Sequence, residues 1–199
     1  MNQKKIDILQ AALEEFSQKS FDDASVNEII KISETSKGTF YHYFQDKKDL
    51  YIQLMKAASE TKWKFIQAEM AKQAGEDTPA DIFELFKQQA QYGIQFAEQY
   101  PAYHALARRF SGEKDNAIYA VVLQELEMAQ EDEEILAPIF AQAYQEGVFN
   151  TQFPLDFIKR TVLFLFNHFD EIYSDSQAAQ EDTLTDLYNL IEFMRHGFG

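Results

Sequence analysis

A chain of 199 residues that is 46% hydrophobic, 15% aromatic and 26% charged is a folded soluble protein by composition, which excludes a disordered tail and a collagen-like repeat. It contains no cysteine, so a disulfide framework, a thiolate zinc site, an iron–sulfur cluster and a cysteine nucleophile are excluded, and a reducing cytoplasm is the expected compartment. The net charge is −15, yet the first 56 residues hold 8 basic and 9 acidic side chains, so nearly all of the negative excess falls in the remainder and two electrically different modules share the chain.

The longest purely apolar run is the seven residues from Ala117 to Leu123, against the roughly 20 that cross a bilayer, so no membrane partner is expected. The start Met1-Asn2-Gln3-Lys4-Lys5 leads into an amphipathic pattern and not into a signal peptide. With 7 glycines and 4 prolines there is little punctuation for the turns of an all-β fold, and the expected class is all-α.

Ile6, Leu9, Leu13 and Phe16 place one apolar stripe on a helix from about Lys4 to Lys19. Ser25-Val26-Asn27-Glu28 reads as a capping box, in which the Ser25 hydroxyl accepts from the third helical amide and Glu28 reaches back. It starts a short helix at Val26 whose apolar residues are Val26, Ile29 and Ile30. Glu34-Thr35-Ser36 is a polar break, and a third short helix runs from about Ser36 to Tyr43 with Phe40 and Phe44 on one face. Asp46 caps a fourth, carrying Leu50, Leu54, Ala57 and Ala58, which nothing interrupts before Gly75. Beyond it Pro79, Pro101, Gly112, Pro138, Gly147 and Pro154 separate further helical stretches. The last two are a stripe Leu155, Ile158, Val162, Leu165, Phe166, Phe169, Ile172 after Pro154, and a stripe Leu184, Leu187, Tyr188, Ile191, Met194 capped by Asp182 or Thr183.

Residues 25 to 44 therefore spell helix, polar turn and short helix after a preceding helix, the helix-turn-helix arrangement. At about 100° per residue, Phe44 and Tyr43 join Phe40 on the inner side, while Gly38, Tyr41, His42 and Gln45 point away with Lys37 and Thr39 on the flanks. Such a face can hydrogen-bond phosphates and base edges, and Gly38 lets the backbone approach a groove. Lys47 and Lys48 stand in the first turn of the next helix, where free amides favour an anion.

The run SKGTFYHYFQDKKDL from Ser36 to Leu50, preceded by SVNEII and by ILQAALEEF, closely resembles the DNA-binding domain of the TetR/AcrR family of transcriptional repressors. The resemblance covers about the first 56 residues. Beyond them the chain is similar to the family in its helical character, its length and the segment from Tyr144 to Phe149 leading into Pro154. It implies an N-terminal three-helix helix-turn-helix DNA-binding domain, residues 1–46, and a larger helical-bundle effector-binding and dimerisation domain, residues 47–199, linked by the helix from 47 to about 73. By position it assigns base reading to Asn27, Lys37, Gly38 and Thr39 and phosphate contacts to Ser25, Tyr41, His42 and Lys47. Glu34 stands where the family has the turn glycine, so either the turn holds a left-handed glutamate or its geometry differs. It also puts an anion near phosphates.

No catalytic or metal constellation competes. Glu131-Asp132-Glu133-Glu134 points four carboxylates in different directions and reads as a solvated acidic turn. The residues three before His42, His104, His168 and His196 are Thr39, Pro101, Leu165 and Phe193, so the Glu-x-x-His of a di-iron bundle is absent, as are His-Glu-x-x-His, Gly-x-Ser-x-Gly and the P-loop. The expectation is no enzyme, no cofactor and no metal. It is instead a cytoplasmic repressor that binds a palindromic double-stranded operator as a homodimer and is released by a small-molecule effector, cationic or apolar. The alternative is a helical adaptor or binding protein with weak or lost DNA binding whose effector is a protein partner. The expected effector lining is Trp63, Phe86, Tyr92, Phe96, Tyr103, His104, Tyr119 and Tyr144. The expected dimer interface is Leu155, Ile158, Val162, Phe166, Phe169, Leu184, Leu187, Tyr188 and Ile191, on a helix that extra aromatics at Phe157, Phe164 and Phe169 make apolar around much of its circumference.

Overall fold

The computed structural model describes residues 2–73, 81–127, 131–167, 169 and 180–198. Among the described residues there are ten helices and no strand, as the composition requires. They are α1 (Gln3–Gln18), α2 (Val26–Ile32), α3 (Lys37–Tyr43), α4 (Lys47–Gln73), α5 (Ile82–Gln99), α6 (Pro101–Ser111), α7 (Ala117–Glu127), α8 (Glu131–Gln145), α9 (Leu155–Asn167) and α10 (Gln180–Phe198). None is long and apolar enough to cross a membrane. The chain forms two compact units: Met1–Phe65 with Phe96–Gln130, and Ile66–Gln95 with Glu131–Gly199.

In the first unit α1 packs most extensively on α6. The buried side of α1 is Ile8, Ala11, Ala12, Glu15 and Phe16, whereas Ile6, Leu9 and Leu13 of the expected stripe are only half-buried. The stripe is displaced because α1 is covered by α6 as well as by α2 and α3, and the small Ala11 and Ala12 suit close helix approach. Ile29, Phe40, Phe44, Leu50, Tyr51, Leu54, Leu106, Ile118 and Val122 complete this core. Phe16 meets Tyr51 with ring centres 4.6 Å apart, and Phe21 closes on the same ring at 5.2 Å. Each large side chain buried this way contributes about 1.5–3 kcal/mol over its exposed form.

Helix ends depart from the sequence reading in informative ways. Ser25 is the N-cap of α2, but its hydroxyl makes no capping bond, and Glu28 pairs with Lys31 at 3.3 Å. The capping box does not form because the Ser25 amide that it would satisfy is already taken by Glu15 Oε1 at 2.9 Å. A reciprocal pair forms instead at α4, where Asp46 accepts from the Asp49 amide and Asp49 reaches back to the Gln45 amide, both at 2.8 Å. Pro138, expected to separate helices, lies inside α8, and the acidic run from Glu131 opens that helix. Helix α10 begins at Gln180, so Asp182 and Thr183 lie within its first turn and do not cap it. Gly75, Pro79 and Ile172 lie outside the described residues.

The second unit buries Ile82, Phe83 and Phe86 of α5 with Phe140 and Ala143 of α8, Phe149 of the connection that follows, Ile158 and Val162 of α9, and Leu190, Ile191 and Met194 of α10. This overturns part of the expected dimer interface. Ile158, Val162 and Ile191 are 0% exposed and Phe169 is buried within the single chain, while Leu155, Phe166, Leu187 and Tyr188 are half-buried against the same core. Leu184 is half-buried. The apolar stripes of α9 and α10 serve their own unit first, and what α9 and α10 leave outward is Phe157, Phe164 and Phe193. At the start of α5, Asp81 caps the helix through the amides of Phe83 and Glu84 and pairs with Arg195 of α10, which also reaches Glu84 at 2.9 Å. Burial raises the Asp81 carboxyl, but the two amides and the guanidinium outweigh it and hold the group below its ordinary value.

Candidate nucleic-acid interface

Two short helices of seven residues each are marginal on their own and are held by their anchors. Ile29 and Phe40 are completely buried and Phe44 nearly so, with the Phe40 and Phe44 rings 5.7 Å apart. Helix α3 is started by Ser36, whose hydroxyl accepts from the Thr39 amide at 3.1 Å. With Phe40 and Phe44 fixed inward, Lys37, Gly38, Tyr41 and His42 are exposed, Tyr41 to 58%. The Tyr41 ring stands edge-on to Phe40, and the His42 ring edge-on to Tyr43, so the outward row rests on the anchored rings. Asn27 is exposed on α2.

The turn between α2 and α3 has the form of a Schellman motif. The Thr35 amide donates to the Ile30 carbonyl at 3.1 Å and the Glu34 amide to the Lys31 carbonyl at 3.2 Å. Glu34 closes it with φ of 50°, the left-handed region, so of the two alternatives at this position the turn holds a left-handed glutamate. Gly38 is different: its φ is not positive, and a Cβ added there would meet only Ser36 Oγ at 3.7 Å. Glycine inside a helix costs about 1 kcal/mol relative to alanine, and no contact within the chain calls for it.

Other expected contact residues are placed with less freedom. Thr39 is half-buried and shares a hydroxyl hydrogen bond of 2.9 Å with Ser36. Ser25 is half-buried. The Lys47 ammonium donates to the carbonyls of Asp22 at 3.1 Å and Ala24 at 3.0 Å and lies 4.8 Å over the Phe21 ring. Its first role is to tie α4 to the α1–α2 loop; Lys48 beside it is exposed.

Sequence reasoning missed the groups that fix this loop. The buried Glu15 joins the Lys19 ammonium at 2.8 Å to the Ser25 amide. On the side of α6 and α7, Arg109 donates to the Gln18 carbonyl at 2.7 Å, Glu113 accepts from the Phe21 amide, and Asn116 donates to the Asp22 carboxylate at 2.8 Å. The phenol of the buried Tyr51 is pushed far above its ordinary value by burial and then by the Glu113 charge. No local pattern hinted at the last three links, since their partners lie about 90 residues apart in sequence.

The expected effector residues divide between the units. Trp63, Phe96, Tyr103, His104 and Tyr119 belong to the first, where Phe96 stacks on Tyr100 at 4.9 Å beside Phe65 and Tyr103, and Tyr119 stacks on Phe110 at 4.6 Å. Phe86, Tyr92 and Tyr144 belong to the second: Phe86 packs with Phe140 and Phe166, Tyr92 is buried, and the Tyr144 hydroxyl donates to the Phe153 carbonyl at 3.1 Å. A depression of about 410 Å³ in the second unit is lined by Asp81, Phe83, Val148, Arg195 and His196, none of them an expected effector residue. Among the described residues no group of three or more carboxylate or histidine side chains is placed to hold a metal.

Comparison with known proteins agrees with the N-terminal geometry. Residues 8–54 match the family described as bacterial regulatory proteins, tetR family. The HTH-type transcriptional regulator YvdT of Bacillus subtilis is 51% identical over 43 residues, 22% of each chain. The HTH-type transcriptional regulator QacR of Staphylococcus aureus is 36% identical over 56 residues, 28% of this chain and 29% of that one. These matches thus span about a quarter of the length of the curated relatives. The fold extends further: a TetR-family regulator structure from Rhodococcus sp. superposes with a TM-score of 0.75 over 98% of this chain and 100% of that chain at 14% identity.

Proposed function

We propose that this chain, whose residues 8–54 match the tetR family of bacterial regulatory proteins, is a DNA-binding transcriptional repressor that acts as a homodimer on a palindromic operator and is released by a small-molecule effector. The observation that carries the reading is the exposed row Lys37, Gly38, Tyr41 and His42 on a helix whose inward rings are locked. Gly38 supports it most directly, because its cost within the fold is offset only if something outside the chain comes close. Asn27 and Thr39 complete base reading, and Ser25, Tyr41, His42 and Lys47 the phosphate contacts, with Lys47 having one of its three donors left for the backbone. The charge distribution points the same way: the acidic remainder is repelled by the duplex and leaves the near-neutral N-terminal part to face it.

The dimer is formed through the outward aromatics of α9 and α10, Phe157, Phe164 and Phe193. The effector is bound by the part of the chain that follows the helix-turn-helix. Binding to a pool of duplexes at several salt concentrations tests the reading. Lys37→Ala is expected to relax sequence preference and reduce the salt slope by about 1. Phe164→Glu is expected to yield monomers by sedimentation and to abolish tight binding. A protein that enriches no DNA sequence at low salt would sink the proposal.

A further inference from the structure

Glu34 is a strained residue whose retention the fold does not explain. Its φ of 50° is a conformation that costs an L side chain stability, and unlike asparagine or aspartate its side chain is too long to compensate through a local turn. The turn's two hydrogen bonds use only backbone groups, so glycine would close it equally well. The carboxylate makes no contact that offsets the strain either. It is exposed, the nearby Lys31 is paired with Glu28, and among the described residues no donor reaches Glu34. A strained, unpartnered side chain in a turn next to a binding face is a reason to look for a partner outside the chain.

Resting on the DNA-binding reading above, we propose that Glu34 is a specificity-determining residue that accepts a hydrogen bond from the exocyclic amino group of a cytosine in the major groove. Glu34 is three residues before Lys37, within about 11 Å along the chain of the first residue of α3, and is exposed, as are Lys37 and Tyr41 of α3. An ionised carboxylate is acceptor-only, so it is repelled by every phosphate and can gain only from a base-edge donor. The major groove offers two, the amino groups of cytosine and adenine. On adenine the amino group adjoins the N7 acceptor, which repels a second acceptor; on cytosine it adjoins a C–H. The carboxylate therefore lowers affinity for DNA in general and restores it at sites with cytosine in register.

The test compares wild type, Glu34→Gln and Glu34→Gly, each confirmed folded by circular dichroism, on duplexes with a randomised stretch, followed by sequencing of the bound fraction. Wild type is expected to enrich cytosine at one position of each half-site about tenfold over the other bases. Glu34→Gln moves that preference to adenine, whose amino group and N7 suit a carboxamide, and Glu34→Gly loses it while retaining the preferences at other positions and binding unrelated DNA more tightly. Identical base frequencies in all three proteins, with affinity changed uniformly, would show a carboxylate that merely repels phosphate and would overturn the proposal. If none of the three enriches any sequence, the DNA-binding reading falls and this inference with it.

Discussion

The turn after α2 and the turn after α8 close in the same way, with different residues at the left-handed position. At the first, Thr35 donates to Ile30 and Glu34 to Lys31; at the second, Val148 donates to Ala143 at 3.0 Å and Gly147 to Tyr144 at 3.3 Å. Glu34 has φ of 50° and Gly147 φ of 74°. A side chain added at Gly147 would meet nothing within 4 Å, so the glycine there answers a backbone demand and not a steric one. Identical hydrogen bonding with opposite residue choice separates what a turn needs in order to fold from what its surface is used for. The turn after α8 carries the residue that costs least, and the turn before α3 does not.

The largest expected effect lies in what holds α2 in place when its own cap is unused. Glu15→Ala leaves the Ser25 amide and the Lys19 ammonium without their shared acceptor and is expected to cost about 2–3 kcal/mol in denaturant unfolding, as for a hydrogen bond to a buried charge. Burial raises the Glu15 carboxyl, but its bonds to Lys19 and Ser25 outweigh that and hold it below its ordinary value. The unfolded chain therefore takes up this proton at higher pH than the folded one. The stabilisation is complete above about pH 4.5 and is lost as the pH falls through the folded value. Glu15→Gln should flatten the decline in stability below that pH; an unchanged slope would place the acid sensitivity elsewhere.

Exchanging the two turn residues tests the comparison directly. Gly147→Glu should destabilise by about 1 kcal/mol, the left-handed penalty less the lower entropy of the unfolded chain, without altering DNA binding. Glu34→Gly should stabilise by about the same amount, so the double exchange is expected to leave the unfolding midpoint nearly unchanged. A loss of stability in Glu34→Gly would mean that the glutamate side chain supports the turn after all.

Smaller again are the caps. Ser36→Ala removes a formed capping bond and should cost about 1 kcal/mol, whereas Ser25→Ala removes none and should stay within a few tenths. Equal losses measured by thermal or denaturant unfolding would contradict the difference between the two serines.

Most of the helix-turn-helix was legible in the sequence because its signals are local. Phe40 and Phe44 on one face, Ser36 as N-cap and Asp46 capping α4 follow from side-chain chemistry within four residues, and each is as expected. Where a local signal had a distant competitor it failed. The capping box at Ser25 is fully encoded in Ser25-Val26-Asn27-Glu28, yet Glu15, ten residues away, takes the amide that it needs.

The charge asymmetry is a matter of composition alone, and helical class and the polar break at Glu34-Thr35-Ser36 follow from backbone preferences that act within one turn of chain. Which side of each helix is buried was decided only by packing. The stripe Ile158, Val162 and Ile191 reads equally well as a core or as an interface, and only the presence of Phe83, Phe86 and Phe140 across from it makes it core and leaves Phe157, Phe164 and Phe193 outward. Likewise Lys47 reads as a free cation until the Asp22 and Ala24 carbonyls are brought to its ammonium. Periodicity records that a face is apolar, while its partner is set by elements far away in the chain whose approach no local pattern encodes.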